Sequence, residues 1–297
     1  MKEYSYITRA MSQDGSLRVI FTDTSALVQH ATKIHNTSKT CAAVLGRALS
    51  AASLMGSLLK DKDNSLTLQI KGNGPVGGIT CVSDYMGNVR GYLEDADIEL
   101  PPNKHGKLDV GGAVGDSGTL YVIKNLGMAE PYVGMTPLVS GEIGDDITSY
   151  FAQSEQTPTV CALGVRVMPD LNIKSAGGFL LQLLPGADEE LIPRLEENIA
   201  KLGSVSAMIA SGMEGKDIIA AVLEGIPFDV FDEYNIEYVC DCQRERYIAA
   251  LTSLADGDFE EITSAGENVE TSCMFCKKFY YFAHEELIAE RKKRKKK

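Results

Sequence analysis

SLTLQIKGNGPVGGITCVSDYMGNVRGYLED, residues 65–95, decides between two fold classes. Its Gly72-Asn73-Gly74-Pro75-Val76-Gly77 matches the G-x-G-x-x-G pattern of dinucleotide-binding folds and follows a strand-like run. In those folds a helix N-terminus must come directly after the glycines, so that its N–H groups and dipole face the pyrophosphate. Here the chain continues into GITCVSD, which reads as a strand, and Pro75 offers no N–H. The glycines are therefore a hairpin turn. Leu66, Leu68 and Ile70 alternate before it, Met86-Gly87-Asn88 makes a second turn, and VRGYLED follows. Strands joined by short turns form an antiparallel meander.

Leu17, Val19 and Phe21 alternate in an opening strand, and residues 38–60 turn helical, with Leu45, Leu49, Ala52, Met55 and Leu59 on one stripe. TLYVIKN (119–125) and PLVSGE (137–142) read as strands. DDITSYFAQSEQ (145–156) reads as a helix with Asp145 or Asp146 near its N-cap, and TVCALGVRV and GFLLQLL close the series as strands. Strand and crossover helix do not alternate cleanly, which favours α+β over α/β. The expected organisation is a mixed core domain with antiparallel strands over residues 1–185. A helical linker (186–230), a small cysteine-bearing domain (231–286) and a basic tail (287–297) follow. In the linker Leu191, Leu195, Ile199 and Leu202 share a face, while Gly203, Gly212 and Gly215 interrupt it. Each glycine costs roughly 1 kcal/mol inside a helix. Short broken helices depend on packing, so the linker reads as metastable unless something covers its apolar face.

The chain of 297 residues is 44% hydrophobic and 24% charged, within the range of soluble globular proteins. No apolar run is long enough to span a membrane, and the N-terminus lacks a signal-peptide pattern, so the expected location is the cytoplasm. Thiols there are mostly reduced, and spaced cysteines are better metal ligands or redox groups than staples. The net charge is −12, and −19 without the seven basic residues 291–297. Such a body repels nucleic acid. The tail reads as solvated and disordered.

Other motifs lead nowhere. Gly115-Asp116-Ser117-Gly118 resembles a protease nucleophile turn, but no triad pattern accompanies Ser117. His30 and His35 stand five apart, no H-E-x-x-H occurs, and there is no Walker-type loop. Cys41, Cys81 and Cys161 sit among apolar residues, as core thiols do. No catalytic residue is expected and the chain does not read as an enzyme.

Cys240 and Cys242, then thirty residues, then Cys273 and Cys276, are a stronger signal. Two knuckles with two sulfurs each build the closed tetrahedron of a structural zinc site, one ion per chain. Four thiolates leave no position for a reactive water, nor for His284. A module of about 40 residues usually needs such a staple, and zinc contributes roughly 10–16 kcal/mol. A Cys240–Cys242 disulfide would close a small ring, which tends to be strained and labile. Cys273 and Cys276 can also pair locally. Two local disulfides would consume all four ligands, which predicts a redox switch. Arg244, Arg246, Lys277 and Lys278 flank the pairs and would favour thiolate.

CDCQRER and the C-x-x-C with Phe275, Tyr280 and Phe282 around it resemble the thirty-three-kilodalton heat-shock protein family, the redox-regulated bacterial chaperones. LGRALSAASLMG, LQIKGNGP, PYVGMTPLVSGEIGDDITSYFAQSEQ and GGFLLQLLPGA are similar to its core-domain segments. The resemblance implies an ATP-independent holdase of the oxidative stress response. Its reduced form holds zinc on Cys240, Cys242, Cys273 and Cys276 and is inactive. Oxidation forms Cys240–Cys242 and Cys273–Cys276, releases zinc, unfolds the switch and linker, and leads to a homodimer that holds unfolding clients. Clients pass later to ATP-dependent foldases. The client-binding residues do not follow from the resemblance; the linker stripe with Leu195 and Ile199, and the core surface beneath it, are the candidates. Two other readings compete. A zinc-ribbon nucleic-acid binder conflicts with a net charge of −5 between Cys242 and Cys273. A thiol–disulfide oxidoreductase would place its C-x-x-C at the start of a helix in a β-α-β unit, which the sequence before Cys273 does not suggest.

Overall fold

Alternation along the strands sorts side chains between two cores. The computed structural model describes residues 3–188, 190–264, 266 and 268–294, and divides into two units, Met1–Val239 and Cys240–Lys297. The first begins with β1 (Ser5–Ser12), β2 (Leu17–Asp23), α1 (Ser25–His35), α2 (Lys39–Gly56), β3 (Ser65–Gly72), β4 (Gly78–Asp84) and β5 (Val89–Leu93). It continues with α3 (Val110–Val114), β6 (Gly118–Asn125), β7 (Tyr132–Pro137), α4 (Gly144–Ser154), β8 (Thr159–Val167) and β9 (Ile173–Leu183). Then come α5 (Leu191–Lys201), α6 (Val205–Ala210), α7 (Gly215–Val222) and β10 (Phe228–Ile236). Two five-stranded antiparallel sheets result, ordered β10-β1-β2-β9-β8 and β5-β4-β3-β6-β7. The class is α+β, and the 65–95 meander stands as expected in β3, β4 and β5.

The α2 helix packs against strands of both sheets. The stripe expected on it is only part of its buried surface, because 16 of its 18 residues are buried. Alanine, serine and glycine permit this close approach. A Cβ on Gly46 would come within 2.8 Å of Val165 and 2.9 Å of Val28. Ile7, Ile20, Leu66, Leu68, Ile70, Leu120 and Leu180 join α2 in this main core. The odd-numbered partners in β2, Leu17, Val19 and Phe21, point the other way. With Tyr6, Ala10, Phe179 and Leu181 they form a second core.

That second core is where α5, α6 and α7 pack. Leu195, Val205, Met208, Ile218, Ile219, Val222 and Leu223 are buried there. The cover that the linker's apolar face needs is therefore supplied by the outer face of the β1-β2-β9 sheet. The chain breaks at 202–204 and 211–214, but Gly215 is the first residue of α7 and not an interruption.

Three other expectations change. PLVSGE is not a strand: β7 ends at Pro137, and 138–143 turn around Asp146. This buried carboxylate accepts from the N–H of Val139 (2.7 Å), Ser140 (3.2 Å) and Ile143 (3.0 Å), and so holds Ile143 at φ 68°. Such a φ is a strained one for a β-branched residue. Asp146→Ala leaves the buried N–H of Ile143 and the half-buried N–H of Ser140 unmatched and should lower unfolding stability by about 3 kcal/mol. Urea unfolding followed by circular dichroism measures this; an unchanged midpoint would count against it.

The second change is β10, which pairs with β1 along Ser5–Ser12 and so draws residues 231–239, placed by sequence in the cysteine-bearing domain, into the first unit. The third concerns the tail. The second unit holds α8 (Arg244–Leu251), α9 (Asp256–Ser264), the hairpin β11 (Val269–Ser272) and β12 (Phe279–Phe282), and α10 (His284–Arg294). Residues 291–294, part of the run 291–297 expected to be disordered, are thus helical, in a helix anchored by Leu287, which is buried with Phe259, Tyr280 and Phe282. Residues 295–297 of the expected tail lie outside the described residues.

Candidate metal centre

The hairpin β11–β12 presents Cys273 and Cys276 from its tip. Cys273 N–H donates to Lys278 O (2.9 Å), and Lys277 N–H donates to Cys273 O (2.8 Å). Lys277 takes φ 57°, which turns the chain sharply after the second sulfur. Cys240 and Cys242 come from the extended residues just before α8. The fold brings all four expected sulfurs together, within 4.8 Å of one another. Cys240 Sγ lies 3.7 Å from Cys273 Sγ, and Cys242 Sγ lies 3.4 Å from Cys276 Sγ. A tetrahedron with zinc–sulfur bonds of about 2.3 Å has sulfurs about 3.8 Å apart. The donor set is thus compatible with a zinc site, and all four thiols are free. Among the described residues no other group of three or more His, Cys, Asp or Glu could hold a metal ion.

The surroundings set the sulfurs' electrostatics. Burial raises the Cys240 thiol above its ordinary value, and does the same at Cys276. Burial also pushes Cys273 up, but hydrogen bonds from Tyr247, from backbone N–H groups of Cys276 and Phe275, and from Cys240 outweigh it. The net result brings Cys273 down to about 7. Tyr280 donates its hydroxyl to Cys242 Sγ (3.1 Å) and Cys242 O (3.0 Å), and its ring stacks on Tyr247 at 4.7 Å between centroids. These two tyrosines orient the sulfurs as outer partners do in metal sites.

The flanking cations do something else. Arg244 forms a fork on Glu286 (2.6 and 2.7 Å), Arg246 pairs with Asp241 (3.4 Å), and Lys278 lies over the Tyr280 ring. At Cys273 the thiolate-favouring role expected of the arginines and Lys278 passes to the Tyr247 hydroxyl and to backbone N–H groups. Nothing in the spacing of Tyr247 pointed to it, because its reach to Cys273 depends on how α8 sits on the hairpin.

The scattered thiols Cys41, Cys81 and Cys161 are buried in the first unit, as expected of core residues. GDSG forms a turn before β6. No described helix is long and apolar enough to cross a membrane.

The chain is similar to known proteins along nearly its whole length. The family model described as "Hsp33 protein" matches residues 5–283. A 33 kDa chaperonin of Clostridium botulinum (strain 657 / Type Ba4) is 42% identical over 281 residues, 95% of each chain. One from Clostridioides difficile (strain 630) is 43% identical over 283 residues, covering 95% of this chain and 97% of that protein. The crystal structure of the 33 kDa chaperonin, a heat shock protein 33 homolog, from Thermotoga maritima superimposes with a TM-score of 0.90 at 34% identity, over all of both chains. With the model matched from β1 through β12 and relatives similar along nearly their whole length, the chain belongs to the Hsp33 family of chaperones.

Proposed function

We propose that this chaperone is an ATP-independent holdase of the cytoplasm, switched by the oxidation state of Cys240, Cys242, Cys273 and Cys276. The observation that carries the reading is the convergence of those four free thiols on one point. In the reduced state they hold one zinc ion, which would supply structural cross-linking and no reactive water. Tyr247 and Tyr280 fix the sulfurs' orientation. An oxidant then takes two electrons from the Cys240–Cys242 pair and two from the Cys273–Cys276 pair. Each pair forms one disulfide and each peroxide is reduced to water. Sulfurs bound in disulfides no longer serve as thiolate ligands.

Pairing within each knuckle matters physically. A Cys240–Cys273 or Cys242–Cys276 link would tie the two knuckles together and preserve the unit. Links within knuckles leave the hairpin and the residues before α8 without a covalent tie, held only by hydrogen bonds such as Tyr280 to Cys242 O. Cys240 directly follows Val239, the end of the first unit, so loss of order there would first break the hydrogen bonds of 237–239 to Asn88, Val89 and Gly91 and then fray β10 from its C-terminal end. β10 is the edge strand of its sheet, with Val230 and Phe231 exposed, and edge strands are the least supported. The helices α5, α6 and α7 precede it and would lift in turn, uncovering Leu17, Val19, Phe21, Phe179 and Leu181 for apolar segments of unfolding proteins. The active form is a homodimer and hands its clients to ATP-dependent foldases. A zinc-ribbon reading has less support, since both basic residues between Cys242 and Cys273 are matched with carboxylates.

The test follows metal, disulfides and clients together. Reduced protein should carry about one zinc per chain. Hypochlorous acid, or peroxide with heating, should displace it as light scattering by a heat-unfolded client is suppressed. Peptide mapping should find Cys240–Cys242 and Cys273–Cys276. Cross-knuckle pairs, or suppression that is already complete in the reduced zinc-loaded protein, would overturn the switch.

A further inference from the structure

Residues 237–239 leave β10, at the edge of one sheet, and lie along β5, the edge strand of the other. Tyr238 bridges Val89 in parallel: Val89 N–H donates to Glu237 O (3.0 Å), and Val239 N–H donates to Val89 O (3.1 Å). At Gly91, where a longer strand would continue, the Tyr238 hydroxyl stands in for backbone. It donates to Gly91 O (3.0 Å) and accepts from Gly91 N–H (3.4 Å). The Tyr238 ring meets His30 edge to face at 5.7 Å and packs on the main core, while Glu237 and Val239 are exposed. The hold on β5 is thus backbone pairing plus one inward aromatic side chain. Backbone pairing carries little sequence preference, and an uncovered strand edge is a template for an extended chain.

We propose that the edge of β5 is a client-binding site, closed in the reduced protein by residues 237–239 and opened when they leave. Its ligand is an extended segment of an unfolding protein. That segment pairs in parallel with Val89 and Gly91 and sets an aromatic side chain where Tyr238 lies. The chain's own residues 237–239 show that such a segment fits. The site rests on the switch assigned above, because 237–239 directly precede Cys240. It differs from the apolar sheet face beneath α5, α6 and α7 in that it holds clients through main-chain hydrogen bonds.

The probe is the blocked peptide of residues 235–239, and the readout is hydrogen exchange at single β5 amides of the full chain. The N–H groups of Val89 and Gly91 face residues 237–239, whereas those of Arg90 and Tyr92 face β4. All four should be protected in reduced protein. Hypochlorous acid should speed exchange at Val89 and Gly91 alone, and the peptide or a heat-unfolded client should slow it again. The peptide should bind oxidised and not reduced protein. N-methylation at its valine removes the donor to Val89 O and should weaken binding about tenfold, the factor for one hydrogen bond. Reduced Tyr238→Ala should take the peptide without oxidant, which reads the edge apart from the switch. Tyr238→Phe, which keeps the ring and loses the hydroxyl's bonds, serves if the alanine variant does not fold. Fast exchange at Val89 and Gly91 with client bound, or equal binding of the N-methylated peptide, would overturn the site. So would protection without client that grows with protein concentration, the sign of a second copy on the edge. Zinc retained after oxidation would sink the switch instead and leave Tyr238→Ala to decide the edge.

Discussion

Reduced Cys273→Ser protein is expected to bind zinc about 10²- to 10³-fold more weakly than wild type, which is roughly a quarter of the 10–16 kcal/mol of a four-thiolate site. Cys273 is the most enclosed of the four sulfurs, 2% exposed, and belongs to the small core with Phe259, Tyr280, Phe282 and Leu287. Serine keeps the approximate shape but offers a hard hydroxyl that stays protonated, so the site is left with three soft donors and an open position. The hydrogen bonds that Cys273 receives would fall on a neutral oxygen. Competition with a coloured chelator measures the affinity. Limited proteolysis should find new cleavage between 240 and 243 and between 269 and 282 in the variant, without oxidant. Cys81→Ser, a core thiol of the first unit, should leave zinc affinity untouched. Equal affinities for Cys273→Ser and wild type would mean that the tetrad is not the metal site.

What could be read from the chain followed from how its residues are buried. The meander was legible because Leu66, Leu68 and Ile70 face a core while Thr67, Gln69 and Lys71 are less buried, which gives a clean period of two. β1 was missed because Tyr6 and Ala10 enter one core while Ile7 enters the other, so both faces are occupied and the alternation vanishes. β10 carries Asp229, Asp232 and Glu233, residues that speak against a strand. Their partners lie some 220 residues away: Arg9 donates to Asp232 (2.9 Å) and Thr8 to Glu233 (2.8 Å). The four ligand cysteines were legible because metal geometry constrains spacing. Tyr247 and Tyr280 act through directions that only the assembled unit defines. The tail misled because its basic composition outweighed one apolar residue, Leu287, that anchors it.

The linker yields the second large effect. Gly215→Val should make the reduced, zinc-loaded protein hold clients without oxidant. The backbone at Gly215 lies against β1 and β2: its N–H donates to Tyr6 Oη (3.1 Å), and a Cβ there would stand 2.4 Å from Thr8 Oγ1 and 2.7 Å from Phe21 Cδ1. Thr8 and Phe21 are fully buried in the sheet and cannot step aside, so the helix must move. Overpacking of this kind costs about 1–3 kcal/mol, which raises the population of the lifted helix about 5- to 150-fold. The lifted state uncovers Phe21, Phe179 and Leu181, the face proposed to meet clients, while the sulfur tetrad in the other unit keeps its ligands. Three readouts separate the possibilities: zinc per chain, exchange of α7 amides, and light scattering of a heat-unfolded client. Gly203→Ala is the control, since nothing lies within 4 Å of the added carbon. Unchanged zinc, faster α7 exchange and suppressed scattering are expected together. Faster α7 exchange with scattering at the reduced wild-type level would show that the sheet beneath the linker helices is not where clients are held.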